Sequence, residues 1–404
     1  MLTFHHGVPG VVAHLRQGFP TLDQLPIGES AVVHHVGGSR QVARRLMEMG
    51  LLPGTRIETI RRAPLGDPLE IRLRGYLLSL RLADAAQISL APDAKADTVG
   101  AGATPADPYR FPAHAPREAP PATRVSRMLV AGNANSGKTT VFNALTGARA
   151  QVSNYPGVTV TLSSRRVTLS DGAPVEIVDL PGTYSLSVHS PDERVAVDEV
   201  LGRRGEPPDA VIVVVDAGAL ERGLYLVLQI AETGVPVIVV LNMIDEATAA
   251  GVDFDASRLG GWLGTTVVPM VASQGTGLDT LRAAVSNTIR LAPHRDCAWK
   301  GFPAQLESDV STIGKALSGT TFVDTPAARR AWAVWSLLSV EPDDGAATGT
   351  DLPPSVLKTV QTIRARATET QRNLDREIIA ARYRWIEAIV ADVRTVTRED
   401  TRKW

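Results

Sequence analysis

The stretch Gly132-Asn133-Ala134-Asn135-Ser136-Gly137-Lys138-Thr139-Thr140 decides the fold. It follows the apolar run Met128–Ala131 and precedes a helical pattern that begins at Val141. Small residues let successive backbone N–H groups turn inward on an oxyanion, while Lys138 can reach the β and γ phosphates of a nucleotide and the Thr139 hydroxyl can bind magnesium. This stretch, called the phosphate loop below, therefore predicts the strand, loop and helix of an α/β P-loop domain that binds a nucleoside triphosphate.

Two segments further along the chain predict contacts to magnesium and the γ phosphate. Asp179 ends the apolar strand Val175–Val178, which places its carboxylate at the carboxyl edge of the sheet, and Gly182 then offers a backbone N–H. Thr159 lies where a mobile γ-phosphate sensor is expected, although a Pro-Gly turn before a strand would give the same local pattern. The expected magnesium ligands are Thr139, Thr159 and Asp179.

A third segment selects the base. The strand Val237–Leu241 is closed by Asn242-Met243-Ile244-Asp245, and the Asp245 carboxylate can accept two hydrogen bonds from the N1 and amino edge of guanine, which adenine cannot supply. A single Asp after a strand is weak evidence, but its order after the two preceding motifs favours GTP over ATP. The expected base contacts are Asn242, Met243, Asp245, Val271, Ala272 and Ser273.

These motifs together resemble the G domain of FeoB, the bacterial ferrous iron transporter family. The resemblance runs from about Arg127 to Val393 and implies a magnesium-dependent GTPase that converts GTP to GDP and phosphate. It also implies a membrane iron-permease domain as continuation or partner. Besides the phosphate loop, it rests on the segments Asn154–Val160, Asp179–Leu186, Ser190–Glu193, Leu220–Leu226 and Leu241–Ala247.

Several positions depart from the family pattern. Ala134 stands where Pro is usual, and Tyr155 where Trp is usual. Val271-Ala272-Ser273 replaces the common Ser-Ala pair, so the expected contact to the guanine O6 is the Ala272 backbone N–H. Met243 replaces a common Lys, which removes an aliphatic stem and its donors from the cleft. We therefore expect weak, quickly exchanged nucleotide, with binding on the order of micromolar.

The residue after Gly182 is Thr183, where many GTPases use Gln to orient water. Potassium-stimulated GTPases, which this family resembles, hold K⁺ with the Asn three residues before the loop Lys, here Asn135. Carbonyls near Ser153 and Tyr155 would complete the ion's shell. In the alternative interpretation, Asn135 only hydrogen-bonds within its own loop. The expected catalytic residues are Asn135, Lys138, Thr159 and Gly182.

The N-terminal part predicts a small β domain. A helix begins near Ser39 and stops at Gly50, and alternating strands follow around Ile57–Ile60, Leu69–Leu73 and Leu77–Leu80. At Leu46–Gly54 the chain resembles the FeoA family, which implies a small SH3-like β-barrel. Since barrels of this size serve many partners, the fold alone assigns no role.

The C-terminal part predicts helices. Thr325-Pro326 is typical of an N-cap followed by Pro in the first turn. The large apolar residues of these helices are interpreted as packing between helices and not as a ligand site. They are Trp332, Trp335 and Leu338 in one helix and Ile379, Ile386, Ile389 and Val393 in the last.

Composition is ordinary for a multidomain globular chain: 404 residues, 44% hydrophobic and 21% charged. The net charge of −1 gives no electrostatic case for nucleic acid, and the single Cys297 fits a reducing compartment. The N-terminal pattern is not typical of a signal peptide, and no run of about 18 apolar residues predicts a membrane-spanning helix. The pairs His5-His6 and His34-His35 lack neighbouring carboxylates or Cys at ligand spacing, so we interpret them as solvated or packed.

The expected organisation is a tail at 1–20, the FeoA-like barrel at 21–92, a Pro/Ala-rich linker at 93–126, the P-loop GTPase domain with a mixed, mostly parallel sheet at 127–293, and a helical domain at 300–404. The resemblance implies the cytoplasmic face of the bacterial inner membrane, a chain soluble as this fragment, and a possible homo-oligomer. Two other functions stay open: a nucleotide-dependent adaptor with negligible hydrolysis, and a GTPase acting in ribosome or RNA processes.

Overall fold

The computed structural model describes residues 20–91, 124–147, 151–154, 161–169, 172–187, 190–203, 208–291, 301–318, 325–340 and 352–396. The chain divides into two compact units, one made of residues up to Gly100 except Met47–Gly50 and one made of the rest. They are described separately.

The first unit is a five-stranded antiparallel sheet in the order β4-β3-β2-β1-β5. Its strands bury every second residue, as in Leu69, Ile71 and Leu73, which is the pattern of a sheet with one face in the core. Strands β3 and β4 are joined at Arg74-Gly75, where both φ angles are positive, as a tight hairpin requires. The elements are β1 Ser30–Val36, α1 Arg40–Glu48, β2 Arg56–Arg62, β3 Leu69–Leu73, β4 Tyr76–Leu80, α2 Leu82–Ala85 and β5 Ile88–Ala91. The predicted helix and three strands are confirmed, whereas β1 and β5 were not predicted.

The second unit contains a seven-stranded sheet in the order β13-β11-β10-β6-β9-β8-β7. The first five are parallel and the last two are antiparallel, so the predicted mixed, mostly parallel sheet is confirmed. Strands β10 and β11 are apolar and buried along nearly their whole length, as expected of central strands covered on both faces. The strands are β6 Ser126–Gly132, β7 Gln151–Asn154, β8 Thr161–Thr168, β9 Pro174–Asp179, β10 Ala210–Asp216, β11 Val237–Asn242 and β13 Val267–Met270.

Helices connect these strands and cover the sheet. The parallel strands all end at one edge, where β6 leads into the phosphate loop and β9 ends at Asp179. This is the edge at which open α/β sheets bind ligands. The connecting elements are α3 Lys138–Thr146, α4 Pro191–Val200, α5 Leu220–Glu232, α6 Ile244–Ala249, β12 Val252–Phe254, α7 Ala256–Leu263 and α8 Leu278–Leu291.

Four further helices follow: α10 and α12 pack against α5, α12 also packs against α7, and α9 and α11 pack against the other helices of this group. They are α9 Ala304–Ala316, α10 Pro326–Ser339, α11 Pro354–Glu369 and α12 Leu374–Val393, and a last strand, β14 Arg394–Val396, pairs antiparallel with β12. The Thr325 hydroxyl accepts from Ala328 N at 3.1 Å, which confirms the predicted N-cap. Trp332, Trp335 and Leu338 are buried, which confirms their interpretation as packing residues. Among the described residues, every helix is too short or too polar to cross a membrane.

Gly223 allows α5 to lie against β10, because a β-carbon at this position would collide with the Val215 side chain. We expect Gly223→Ala to lower the free energy of unfolding by about 1–3 kcal/mol through overpacking. The matched control is Gly261→Ala in α7, where a β-carbon meets nothing within 4 Å. There we expect a gain of about 0.5–1 kcal/mol from reduced backbone entropy. Urea unfolding of both variants is the measurement, and equal effects would contradict the packing argument.

Candidate nucleotide-binding site

The phosphate loop is a tight backbone coil held by its own polar groups. Ser136 Oγ donates to Asn133 O at 2.9 Å, and Ser136 N donates to the same oxygen at 3.3 Å. Asn135 adopts φ +66° and Gly137 φ +84°, a left-handed conformation that Asn tolerates and Gly favours. Such alternation turns successive N–H groups to one side, which is the geometry of an anion-binding nest.

Lys138, Thr139 and Asp179 meet beside this loop. Lys138 Nζ lies 2.5 Å from Asp179 Oδ1, and Thr139 Oγ1 donates to Asp179 Oδ2 at 3.3 Å. The Lys138 and Asp179 side chains are each only 11% exposed. A hydroxyl and a carboxylate are hard oxygen donors that suit Mg²⁺, which takes its other ligands from water and phosphate. The donor set therefore fits the ion, while Thr159 lies outside the described residues.

The segment after Asp179 returns to the phosphate loop. Thr183 N donates to Gly132 O at 3.2 Å, and a β-carbon on Gly182 would lie 3.3 Å from the backbone of Ala134. Gly182 is thus in contact with the loop, beside the expected γ-phosphate position. Thr183 is 1% exposed and donates its hydroxyl to Ser185 O at 2.7 Å, so its side chain does not face the cleft.

Asn242 has a role that the sequence did not indicate. Its Nδ2 donates to Ser136 O at 2.9 Å, and its Oδ1 accepts from Ala272 N at 3.0 Å, with the side chain 2% exposed. Asn242 thus joins the phosphate loop to the Val271–Ser273 segment. The Ala272 N–H, which we expect to meet the guanine O6, is thus bonded to Asn242 Oδ1 in this structure.

Met243 and Asp245 flank the same cleft. Met243 adopts φ +59°, and its Cε would lie 3.6 Å from a β-carbon on Gly137. An apolar stem therefore stays beside the loop, which corrects the expectation that Met243 removes it; only the charged donor is lost. Asp245 is exposed, and its Oδ2 accepts a weak 3.5 Å hydrogen bond from Gln274 Nε2. Gln274 was not predicted as a site residue, although it directly follows Ser273.

A second group of residues connects the site to the helices. Gln229 Oε1 accepts from Leu186 N at 3.0 Å, and the Arg203 guanidinium lies 3.9 Å from the ring centre of Trp335 and 4.8 Å from that of Trp332. Arg203 also pairs with Asp198 at 3.2 Å. The first contact ties the segment after Asp179 to α5, and the Arg203 contacts tie the residues just after α4 to α10. They join residues far apart in the chain, so no local pattern could have revealed them.

A buried ion pair lies one turn further along α5. Arg382 Nη2 is 2.6 Å from Glu232 Oε2, and Arg382 Nη1 is 3.4 Å from the Tyr225 hydroxyl. Burial opposes the charge of Arg382, but the pairing with Glu232 outweighs it and raises the pKa of the guanidinium. Burial likewise raises the pKa of Tyr225, which stays a neutral phenol. A cavity of about 20 Å³ beside this pair is lined by Leu186, Gln229, Glu232, Trp335 and Arg382, among others.

Comparisons with known proteins agree with this architecture. Residues 126–285 match the family described as Ferrous iron transport protein B, and residues 21–92 match the FeoA domain. A curated relative from Porphyromonas gingivalis, named Fe(2+) transport protein A/Fe(2+) transporter FeoB fusion protein, is 38% identical over 280 residues. That match covers 64% of this chain and 33% of the relative.

Two solved structures also resemble this chain. A mutant of S. thermophilus NFeoB bound to GDP is 31% identical with a TM-score of 0.55, and the match covers 67% of this chain and 100% of that one. The cytosolic domain of L. pneumophila FeoB is 30% identical with a TM-score of 0.55 and the same coverage. The chain spans about a third of the length of the P. gingivalis relative, at 33%.

We expect Asn242 to have a structural role and Asp245 to have a binding role. We expect Asn242→Ala to lower the free energy of unfolding by about 1–3 kcal/mol, because it leaves Ser136 O and Ala272 N unpaired in a buried place. Asp245→Ala is the control, since its side chain is exposed, and its stability should match the wild type. The free energy of unfolding of each variant is measured by chemical denaturation without nucleotide. A loss for Asp245→Ala as large as that for Asn242→Ala would contradict this division.

Proposed function

Since the chain belongs to the FeoB family and carries a FeoA domain ahead of its GTPase-type domain, we propose that it binds and hydrolyses GTP as the regulatory part of a ferrous iron transporter. The observation that carries the proposal is the convergence of the phosphate loop, Asp179 and the Asn242–Asp245 segment at one edge of the sheet. The proposal takes 127–293 as the GTPase domain and 300–404 as the helical domain, joined to 21–92 by the linker 93–126.

In this proposal, the phosphates lie on the N–H groups of the phosphate loop. Lys138 leaves Asp179 to contact the β and γ phosphates, and Asp179, Thr139 and Thr159 would hold Mg²⁺. When bound, this ion would supply positive charge against the phosphates. Gly182, in contact with Ala134, donates its N–H to the γ phosphate. The ordering of this segment then depends on whether the γ phosphate is present.

Guanine is selected by the base segments. The exposed Asp245 carboxylate exchanges its weak contact with Gln274 for two hydrogen bonds from the base. The Ala272 N–H, bonded to Asn242 Oδ1 in the structure, is the proposed donor to the guanine O6. Asn242 holds both segments in register with the phosphate loop. Met243 supplies an apolar surface without a charge, which supports the expectation of weak and quickly exchanged nucleotide.

Hydrolysis proceeds without a Gln, because Thr183 is buried and bonded to Ser185 O. Asn135 is the residue we assign to K⁺. Its side chain is exposed at the rim of the loop, and within the described part of the chain its amide makes no hydrogen bond, so the amide oxygen is open to a cation. K⁺ supplies positive charge at the phosphates when bound.

We propose that α10 and α12 transmit the structural change that follows hydrolysis. Leu186 is bonded to Gln229, and α4 is joined to α10 through Arg203 and its two tryptophans. A change in the Asp179–Leu186 segment on hydrolysis would therefore reach α10 and α12, and through them a membrane iron-permease domain. The proposed location is the cytoplasmic face of the inner membrane.

A nucleotide-dependent adaptor with negligible hydrolysis is the second candidate, and the buried Thr183 favours it. Phosphate release from GTP separates the two. We expect multiple turnovers in potassium and at least about tenfold slower turnover in sodium, because a smaller cation fits the Asn135 site less well. Lys138→Ala, which loses a phosphate contact, is the negative control. Equal rates in the two salts would refute the potassium proposal. If the wild type releases phosphate no faster than Lys138→Ala, the adaptor function is favoured over hydrolysis.

Hydrogen exchange tests whether the nucleotide state affects α10 and α12. In the wild type we expect amide exchange in α10 and α12 to differ between the GDP and GTP-analogue states. Gln229→Met keeps the side-chain volume but removes the acceptor for Leu186 N, so this difference should shrink. Arg330→Ala breaks an ion pair with Glu307 inside the helical part and should respond like the wild type. No difference over residues 302–393 in the wild type would contradict the coupling.

A further inference from the structure

Tyr184 lies between two anchors of the segment that returns to the phosphate loop. One residue before it, Thr183 N donates to Gly132 O at 3.2 Å. Two residues after it, Leu186 N donates to Gln229 Oε1 of α5 at 3.0 Å. The side chain of Tyr184 is itself half-buried. A contact made by its ring therefore acts on the middle of a segment whose two ends are already held.

Arg222 supplies this contact. Its guanidinium carbon lies 5.0 Å from the centre of the Tyr184 ring, within the range of a cation–π interaction. Arg222 and Gln229 are seven residues apart in α5, which is about two helical turns, so both contacts come from the same face of the helix. Helix α5 thus provides a common platform for Tyr184 and Leu186.

This platform is fixed to the sheet at the position of Arg222. Gly223, the next residue, lets α5 lie against β10, because a β-carbon there would collide with the Val215 side chain. The turn that leads into α5 is closed by Asp216, whose Oδ1 accepts from Gly218 N at 2.8 Å. Strand β10 lies between β11 and β6 in the sheet. The backbone of Arg222 is therefore held in place by the central part of the domain.

The first turn of a helix is an unfavourable place for a cation. The helix dipole is positive there, and acidic side chains are preferred. Glu221 in the first turn of α5 follows this preference, whereas Arg222 does not. Contact with the electron-rich face of Tyr184 offsets the cost. A local preference that is overridden in this way is typical of a functional position.

From this geometry we infer that Arg222 is a positioning residue for hydrolysis, acting through Tyr184 on Gly182. The cation–π contact holds the segment against the phosphate loop, where Gly182 lies beside Ala134, so that the Gly182 N–H is in place before the γ phosphate arrives. Preorganised donors lower the barrier to phosphoryl transfer, because they need no reorientation during the reaction. The inference rests on the proposed GTP hydrolysis and adds to it a residue that need not contact nucleotide or magnesium.

Single-turnover hydrolysis of GTP by the full chain, followed as phosphate release, is the measurement. Arg222→Met keeps an unbranched stem and removes the charge, and we expect hydrolysis on the order of fivefold slower, which is the scale of one cation–π contact. Tyr184→Leu removes the ring and should slow hydrolysis by the same factor. Arg222→Lys keeps a charge and Tyr184→Phe keeps a ring, so each should recover much of the lost rate.

Two further measurements separate positioning from a general loss of structure. GDP has no γ phosphate for Gly182 to contact, so it should bind Arg222→Met and Tyr184→Leu with the wild-type affinity. The double variant should be no slower than the slower single variant, because both residues act through one contact. Arg330→Met is the matched control, since it removes a cation–π contact of 5.1 Å on Phe302 in the helical part. It should hydrolyse GTP at the wild-type rate.

The inference is overturned if the variants that fold hydrolyse GTP at the wild-type rate, or if their effects add in the double variant. A loss in Arg222→Met without one in Tyr184→Leu would also overturn it, because Arg222 would then act on the phosphates directly. A parallel loss of GDP affinity would do the same, by showing a structural role. If Arg222→Met does not fold, Tyr184→Leu and Tyr184→Phe carry the test.

Failure of the proposed function gives a different result. In that case the wild-type chain itself would hydrolyse GTP no faster than Lys138→Ala. A wild type that hydrolyses GTP, with Tyr184→Leu at the same rate, would leave the proposed function in place and remove only the role of Arg222.

Discussion

The architecture of the site depends on one buried amide. Asn242 donates to Ser136 O and accepts from Ala272 N, and in doing so it connects the loops that follow β6, β11 and β13. Its approach requires Gly137, because a β-carbon there would collide with Asn242 Nδ2. Both partners are backbone groups, so the bridge fixes distances between loops and not merely side-chain orientations. Phosphate and base recognition are consequently set by the same residue.

The helical part is held to the nucleotide domain by interactions of two kinds. The Arg382–Glu232 pair is buried, so its attraction is largely offset by the cost of removing two charges from water. The stacked rings of Tyr225 and Tyr383, with centres 5.1 Å apart, add apolar contact beside it. Such a pair favours one way of docking more than it adds stability, since any shift would leave a charge buried alone. Arg382 and Tyr383 belong to α12, and the β12–β14 pairing and Asp392 hold the C-terminal end of that helix.

Sequence reasoning succeeded where the information is local. The phosphate loop, the strand before Asp179 and the capped helix at Thr325 each depend on neighbouring residues, and β6, β9 and α10 appear as expected. It missed β1 and β5, whose pairing joins distant parts of the first unit. It also did not reveal the hydrogen bond from Ala272 N to Asn242, because only the folded chain brings the two groups together. No sequence motif marks Gln229, Arg203 or Asp392. Their roles are evident only from the residues that they contact in the folded chain.

Arg203 has a consequence for how this protein can be observed. Its guanidinium lies over the rings of Trp332 and Trp335, two of the six tryptophans in the chain. Indole emission responds to a charge held against the ring, and Arg203 lies three residues after Val200, the last residue of α4. Relative movement of α4 and α10 would thus change the intrinsic fluorescence of the protein. Trp332 and Trp335 therefore allow movement between the nucleotide domain and the helices to be followed by fluorescence without an added label.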